Sequence, residues 1–244
     1  MKASQPPAGH ATQAKQADRF AKGELRPAAA IAARSAPQAH GRETGRVNAT
    51  DLDADPLRKL ATWLNAARAA GQPMPEAMTI ASATSDAVPS ARPVVLRGLR
   101  RGLVFFTDCE SDKGAELAAN PRAAAVLHWL VPVHRQVRAA GPAEPVRQDE
   151  ADEYWSTRAP SVRLSAAASH QSRVVASRAV LRMQVQDEPL RYPGGAGVPR
   201  PRRWGGFRVL PSRVEFCQES PDGLHDRIRY RREGGGWIIE RLEP

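Results

Sequence analysis

Cysteine is almost missing from this chain: Cys109 and Cys217 are the only two among 244 residues. Two thiols build no disulfide framework and offer no paired metal spacing, so a reducing, cytoplasmic setting is expected. Lysine is scarce as well, 5 against 31 arginines, and aromatic residues make up only 5%. Too few rings remain for a stacking series along nucleic acid, and no helix-turn-helix pattern is present, so no specific nucleic-acid partner is expected. No apolar run approaches the roughly 18 residues that a membrane span needs, and no membrane partner is expected either. The GxxxxGK phosphate loop, the GxSxG nucleophile elbow and βαβ alternation are all absent. His128 and His134 stand six apart, which is no metal-ligand spacing, so no metal is expected.

What remains is a chain with 41% hydrophobic residues, enough for a buried core, and a net charge of +10. Residues 1–50 hold 8 basic and 3 acidic residues, half of that excess. This stretch is rich in Ala, Gln, Pro and Arg, with Phe20 its only aromatic. It is expected to be a disordered basic leader, with the folded domain over residues 51–244. An organelle transit peptide is the alternative for such a leader, against which its weak helical amphipathicity counts.

Order is expected to begin at DPLRKLATWLNAARAAG, where Asp55 caps a helix, Pro56 suits its first turn and Gly71 its end. AMTIASAT, ARPVVLRG and GLVFFTD read as a three-strand meander. Ser111 then opens a short helix, DKGAELAAN, before Pro121. AAAVLHWL and HRQVRAAGPAEPV are two further strands. Helices are expected from Asp149 to Arg158 and from about Val174 to Val185, with RAPSVRLSAAASHQS between them as a long polar loop. GGFRVL and SRVEFCQ flank Pro211, and a final hairpin closes the chain. Strands outnumber helices and connections are short, which predicts an antiparallel barrel with attached helices.

Five places carry polar residues that a core does not explain. Ser111 and Lys113 sit at a helix start, where free N–H groups favour an anion, although a plain structural cap fits equally. Tyr154 and Arg158 stand four apart on one helical face, a spacing that suits a phosphate clamp or an exposed Arg beside a half-buried Tyr. Arg92 and Arg97 fall on opposite faces of a regular strand, so one ligand uses both only around an edge or a bulge, which Pro93 favours. Gln136 and Gln171 offer the donors and acceptors that a heterocycle with carbonyls requires. In GLHDRIRYRR, His225, Arg227, Arg229 and Arg231 alternate, and either solvent or a bound anion can occupy such a strand face.

With these residues in view, the chain resembles the pyridoxamine 5'-phosphate oxidase family from about Asp55 to Pro244. The likeness rests on EAMTIA, the run from Arg92 to Gly98, FFT followed by S-x-K-G, ANPRAA, RQVR, the Tyr154–Arg158 helix, HQSR, PRPRRWGG, and LHDRIRYRR through to ERLEP. The resemblance implies a mainly β fold with attached helices, an FMN-binding split β-barrel, antiparallel and Greek-key-like, in a homodimer whose two chains share each site. It implies flavin contacts at Arg92, Val94, Val95, Phe106, Thr107, Lys113, Gln136, Gln171, Ser172 and Arg227. Substrate contacts fall on Arg97, Tyr154, Arg158 and His225, with His225 and Arg227 as the catalytic pair and Arg229 and Arg231 merely solvated. The implied partners are a small phosphorylated pyridine and molecular oxygen. Five positions depart from the family pattern. Arg97 stands for Lys, Asp112 for Arg, Val162 for Ser, Cys217 for Trp and Gly223 for Arg. A wider pocket from Gly223 and Cys217 leaves open a larger, non-phosphorylated ring as in phenazine biosynthesis, and a non-catalytic flavin or pyridoxal phosphate binder is the third reading.

Overall fold

The computed structural model describes residues 53–192 and 197–244; the leader expected over residues 1–50 lies outside them. The first helix, α1 (Pro56–Ala69), starts where Asp55 Oδ1 accepts the Leu57 N–H at 2.9 Å. It buries Leu60, Trp63, Leu64 and Ala67, an i, i+3, i+4, i+7 stripe that gives one apolar face.

Nine strands follow, all paired antiparallel: β1 (Ala77–Ala83), β2 (Pro89–Val95), β3 (Leu103–Asp108), β4 (Arg122–Trp129), β5 (Arg135–Pro145), β6 (Trp204–Val209), β7 (Arg213–Gln218), β8 (Asp226–Glu233) and β9 (Gly236–Leu242). They run in the order β2-β1-β4-β5-β7-β8-β9, while β6 bridges β3 and β5. The expected meander is therefore corrected. β2 and β1 form a hairpin, but β3 leaves the sheet after a single bridge between Gly98 and Val104 and pairs with β6 along its whole length. Burial on both faces fits the departure: the consecutive residues Leu103, Val104 and Phe105 are at most 2% exposed, which an edge of a meander could not provide.

Strand β5 closes the barrel by serving two neighbours, β7 through residues 135–140 and β6 through residues 143–145. The bend between them falls at Gly141, where an added Cβ would lie 2.1 Å from the Leu210 carbonyl oxygen, so only glycine permits the approach. Inside, Phe216 meets Trp63 edge-on at 5.1 Å and Tyr230 at 5.6 Å, and all three are buried. Alternation puts Ile228 and Tyr230 of β8 into this core and Arg227, Arg229 and Arg231 on the opposite face. Arg229 and Arg231 are not simply solvated. Arg229 pairs with Glu240 at 2.7 Å, and Arg231 with Glu233 and Glu240, tying β8 to β9.

The remaining helices are α2 (Asp112–Ala119), α3 (Gln148–Thr157), α4 (Pro160–Ala168) and α5 (Arg178–Asp187), followed by a 3-10 turn at Glu188–Arg191. Helix α4 corrects the expectation of a long loop. Pro160 fits the first helical turn, the alanines favour helix, and Arg203 satisfies the terminal carbonyls from outside the segment. The last helix begins four residues later than expected, at Arg178, because Ser177 caps it by accepting from the Val180 N–H.

Candidate functional site

A cavity of about 460 Å³ opens between the barrel and the helices, within the usual range for small-molecule sites. Its aromatic wall is a near-parallel stack. Phe106 of β3 lies 4.2 Å from Tyr154 of α3 at 14°, and 5.6 Å from Trp204 of β6 at 4°. Arg97 sits over the Tyr154 ring at 5.6 Å, and Arg158 over Trp204 at 4.7 Å. Arg158 Nη1 is buried without a hydrogen-bond partner. A buried guanidinium N–H left unmet is costly, so this atom is free to donate to an acceptor that enters the cavity. Burial, and then repulsion from Arg97, weaken the guanidinium's hold on its proton, although Tyr154 offsets part of this.

The other cationic end belongs to Lys113 in the first turn of α2. Gly114 lets that turn press on the loop after β3, since a Cβ there would meet the Cys109 carbonyl oxygen at 2.1 Å. Lys113 is buried, and its ammonium donates to Gln171 Oε1 at 2.6 Å, Thr107 Oγ1 at 3.1 Å and Ser111 Oγ at 3.2 Å. Ser111 precedes the helix but makes no side-chain cap; its hydroxyl instead donates to the Asp108 carbonyl at 2.6 Å. Burial, with Arg92 adding repulsion, pulls the Lys113 pKa below its ordinary 10.5, against a partial pull upward from Asp108, Asp112 and Glu116. In the ligand-free protein the unfolded chain therefore holds more protons between the lowered value and 10.5, so stability rises with pH across that window. A bound phosphate needs the ammonium. Its affinity is expected to fall with rising pH through the same window, before an ordinary lysine would lose its charge, which a flavin titration at several pH values checks.

The segment after α4 is clasped over this end. Arg203 donates to the Ala166 and Ser169 carbonyls and to Ala167, while its Nε meets Asp108 Oδ2 at 3.1 Å. Asp108 also accepts the Gln171 N–H at 3.4 Å. Ser172 holds a left-handed backbone, φ 71°, which is uncommon for a residue with a side chain, and its hydroxyl accepts the Asp112 N–H at 3.3 Å. The structure thus brings Val94, Val95, Arg97, Phe106, Thr107, Lys113, Tyr154, Arg158 and Gln171 to one cavity, with Ser172 at its margin.

Arg92, Gln136, His225 and Arg227 do not line it. Arg92 points from the other face of β2 into a cluster with Ser82, Ser90 and Glu116. Gln136 lies opposite Cys217, and Cys217 opposite Arg227, so the three form one row on the outer sheet face. Glu215 fixes Arg227 through bonds of 2.9 and 2.7 Å. His225 Nδ1 accepts the Ser220 N–H at 3.2 Å, beside the row in sequence. Sequence reasoning missed Asp108, Glu116, Trp204 and Arg203 as site-builders. Arg203 and Trp204 carried a signal, their place in PRPRRWGG. Among the described residues no group of three His, Cys, Asp or Glu side chains could hold a metal ion.

An aromatic wall with cations at both ends, on the flank of an antiparallel split barrel, defines a flavin-binding class of protein. The residues fit a phosphorylated flavin: Lys113 and the unmet Arg158 N–H are donors for anions, and Asp108, an acid on the cavity wall, is already tied to Arg203. Residues 64–189 match the family model described as pyridoxamine 5'-phosphate oxidase, and residues 204–244 match the pyridoxine 5'-phosphate oxidase C-terminal dimerisation region. The chain belongs to the pyridoxamine 5'-phosphate oxidase family, a family of FMN-dependent oxidoreductases. It is 46% identical over 202 residues to the pyridoxine/pyridoxamine 5'-phosphate oxidase of Cupriavidus necator, covering 82% of this chain and 94% of that one. The enzyme of that name from Granulibacter bethesdensis is 45% identical over 196 residues, covering 78% of this chain and 91% of its own. The crystal structure of PhzG from Burkholderia lata, in complex with tetrahydrophenazine-1-carboxylic acid, superposes with a TM-score of 0.75 at 34% identity, covering 80% of this chain and 95% of that one. Among the described residues no helix is long and apolar enough to cross a membrane.

Proposed function

We propose that this protein oxidises pyridoxine 5'-phosphate or pyridoxamine 5'-phosphate to pyridoxal 5'-phosphate, with FMN as cofactor and oxygen as final acceptor. The observation that carries the reading is the unmet Arg158 N–H beside Arg97 and Tyr154, in the same cavity as Lys113. Arg158 feels Arg97, and Lys113 feels Arg92, so the cations fall into two pairs suited to two phosphates. One pair takes the flavin phosphate, with Thr107, Gln171 and Ser172 beside it. The other takes the substrate phosphate, with the Tyr154 hydroxyl as a further donor.

Bound FMN supplies the electron acceptor, and the protein orients the ring and keeps water out. Gln136, Arg227 and His225 serve the cavity of a second subunit in a homodimer. The row that Gln136 and Arg227 form on the outer sheet face and the dimerisation region over residues 204–244 support this arrangement. His225 of the partner subunit then approaches the pyridine ring. Two free thiols, Cys109 and Cys217, support cytoplasmic residence. A larger ring substrate is the second reading, favoured by the PhzG likeness and by the open space around Gly223.

Anaerobic mixing decides between them. The FMN-loaded protein should lose its yellow colour with pyridoxine 5'-phosphate and keep it with unphosphorylated pyridoxine at the same concentration. Colour that survives the phosphorylated compound contradicts the proposal.

A further inference from the structure

Glu116 has no place in the cavity, yet it holds together a half-buried polar cluster between β1, β2 and α2. Its side chain is 12% exposed. Its carboxylate accepts from Ser82 Oγ at 2.6 Å, from Ser90 Oγ at 2.8 and 2.7 Å, and from Arg92 Nη2 at 3.0 Å. Arg92 also donates to both serine hydroxyls, Nη1 to Ser82 and Nη2 to Ser90. Each hydroxyl therefore donates its single O–H to the carboxylate while accepting an N–H hydrogen bond from the guanidinium. Of the five N–H bonds of Arg92, three are used in this way. The others, the Nε–H and one on Nη1, point to no partner in the cluster.

The fold favours the Glu116 carboxylate: burial opposes the charge, but the hydrogen bonds from Ser82, Ser90 and Arg92 outweigh it, so the cluster supports the local packing. Its geometry has a second effect: it holds a flexible guanidinium in one orientation with two donors to spare. Arg92 lies within electrostatic reach of Lys113, so holding it in one orientation keeps two cations near one end of the cavity. We propose that Glu116 is a positioning residue for the flavin phosphate, acting through Arg92 and relayed by Ser82 and Ser90. The inference rests on the reading that Arg92 and Lys113 receive that phosphate.

The test compares FMN with riboflavin, which lacks the phosphate, by fluorescence titration of the flavin-free full-length protein. Glu116→Ala should weaken FMN by about tenfold or more, as the loss of a charged hydrogen-bonded cluster does, and leave riboflavin affinity within about twofold. Glu116→Gln keeps a carbonyl oxygen that can accept from two of the three donors, the freed hydroxyl accepting from the amide instead, and should restore FMN affinity to within about threefold of wild type. Unchanged FMN affinity in Glu116→Ala overturns the inference, as does parallel loss of both flavins, which reports general damage. A glutamine variant as weak as the alanine one also overturns it. If the wild-type protein binds no FMN, the flavin reading itself fails; if it binds FMN and the Glu116 variants match it, only the role of Glu116 fails.

Discussion

Replacing Arg158 with alanine should raise the KM for pyridoxine 5'-phosphate by roughly 10- to 100-fold while FMN affinity stays within about twofold, since a hydrogen bond to a charged group is worth about 1.5–3 kcal/mol. The asymmetry follows from position. Arg158 stacks on Trp155 and Trp204 and shares no hydrogen-bond partner with Lys113, and among the described residues its Nη1 has none. Removing it deprives only the ligand that supplies the missing acceptor. Arg158→Lys should recover part of the loss, because the charge returns without the planar fork that grips two phosphate oxygens. Steady-state kinetics beside flavin titrations measure both effects. Equal losses in substrate and flavin binding would mean that one anion spans the cavity.

Much of this arrangement was legible in the sequence, and the failures have physical causes. Asp55, Pro56 and the apolar stripe announced α1, and alternation in LHDRIRYRR correctly set Ile228 and Tyr230 against the arginines, because both signals are local. The 158–172 stretch misled because its helix depends on a distant residue. Polar and alanine-rich, it lacks a strong apolar stripe, and Arg203, some forty positions on, collects its terminal carbonyls. Strand β3 was recognised as a strand but not its partner, since pairing with β6 crosses about a hundred residues. The cluster around Arg92 was invisible for the same reason: Ser82, Ser90 and Glu116 meet only through the register of β1 and β2 and the docking of α2. Family resemblance named Gln136, Cys217 and Arg227 separately; the register made them a row.

The second large effect concerns that row. Lys113→Ala removes an ammonium with three hydrogen bonds from the cavity half, and Arg227→Ala removes the guanidinium that Glu215 holds on the sheet face. Each substitution alone should reduce flavin binding by about tenfold or more, in line with losing a charge-assisted contact. On the proposed arrangement the two residues belong to different chains of each site, so the defects should complement. When subunits of the two variants are mixed and allowed to exchange, half of the dimers are mixed. Each mixed dimer carries one doubly damaged site and one intact site, so about a quarter of all sites are restored. FMN content and oxidase activity of such a mixture, measured against each parent, test the shared site directly. Recovery to about a quarter of the wild-type level is the expected result, and a mixture no better than its parents would place Lys113 and Arg227 at the service of a single chain and contradict the account.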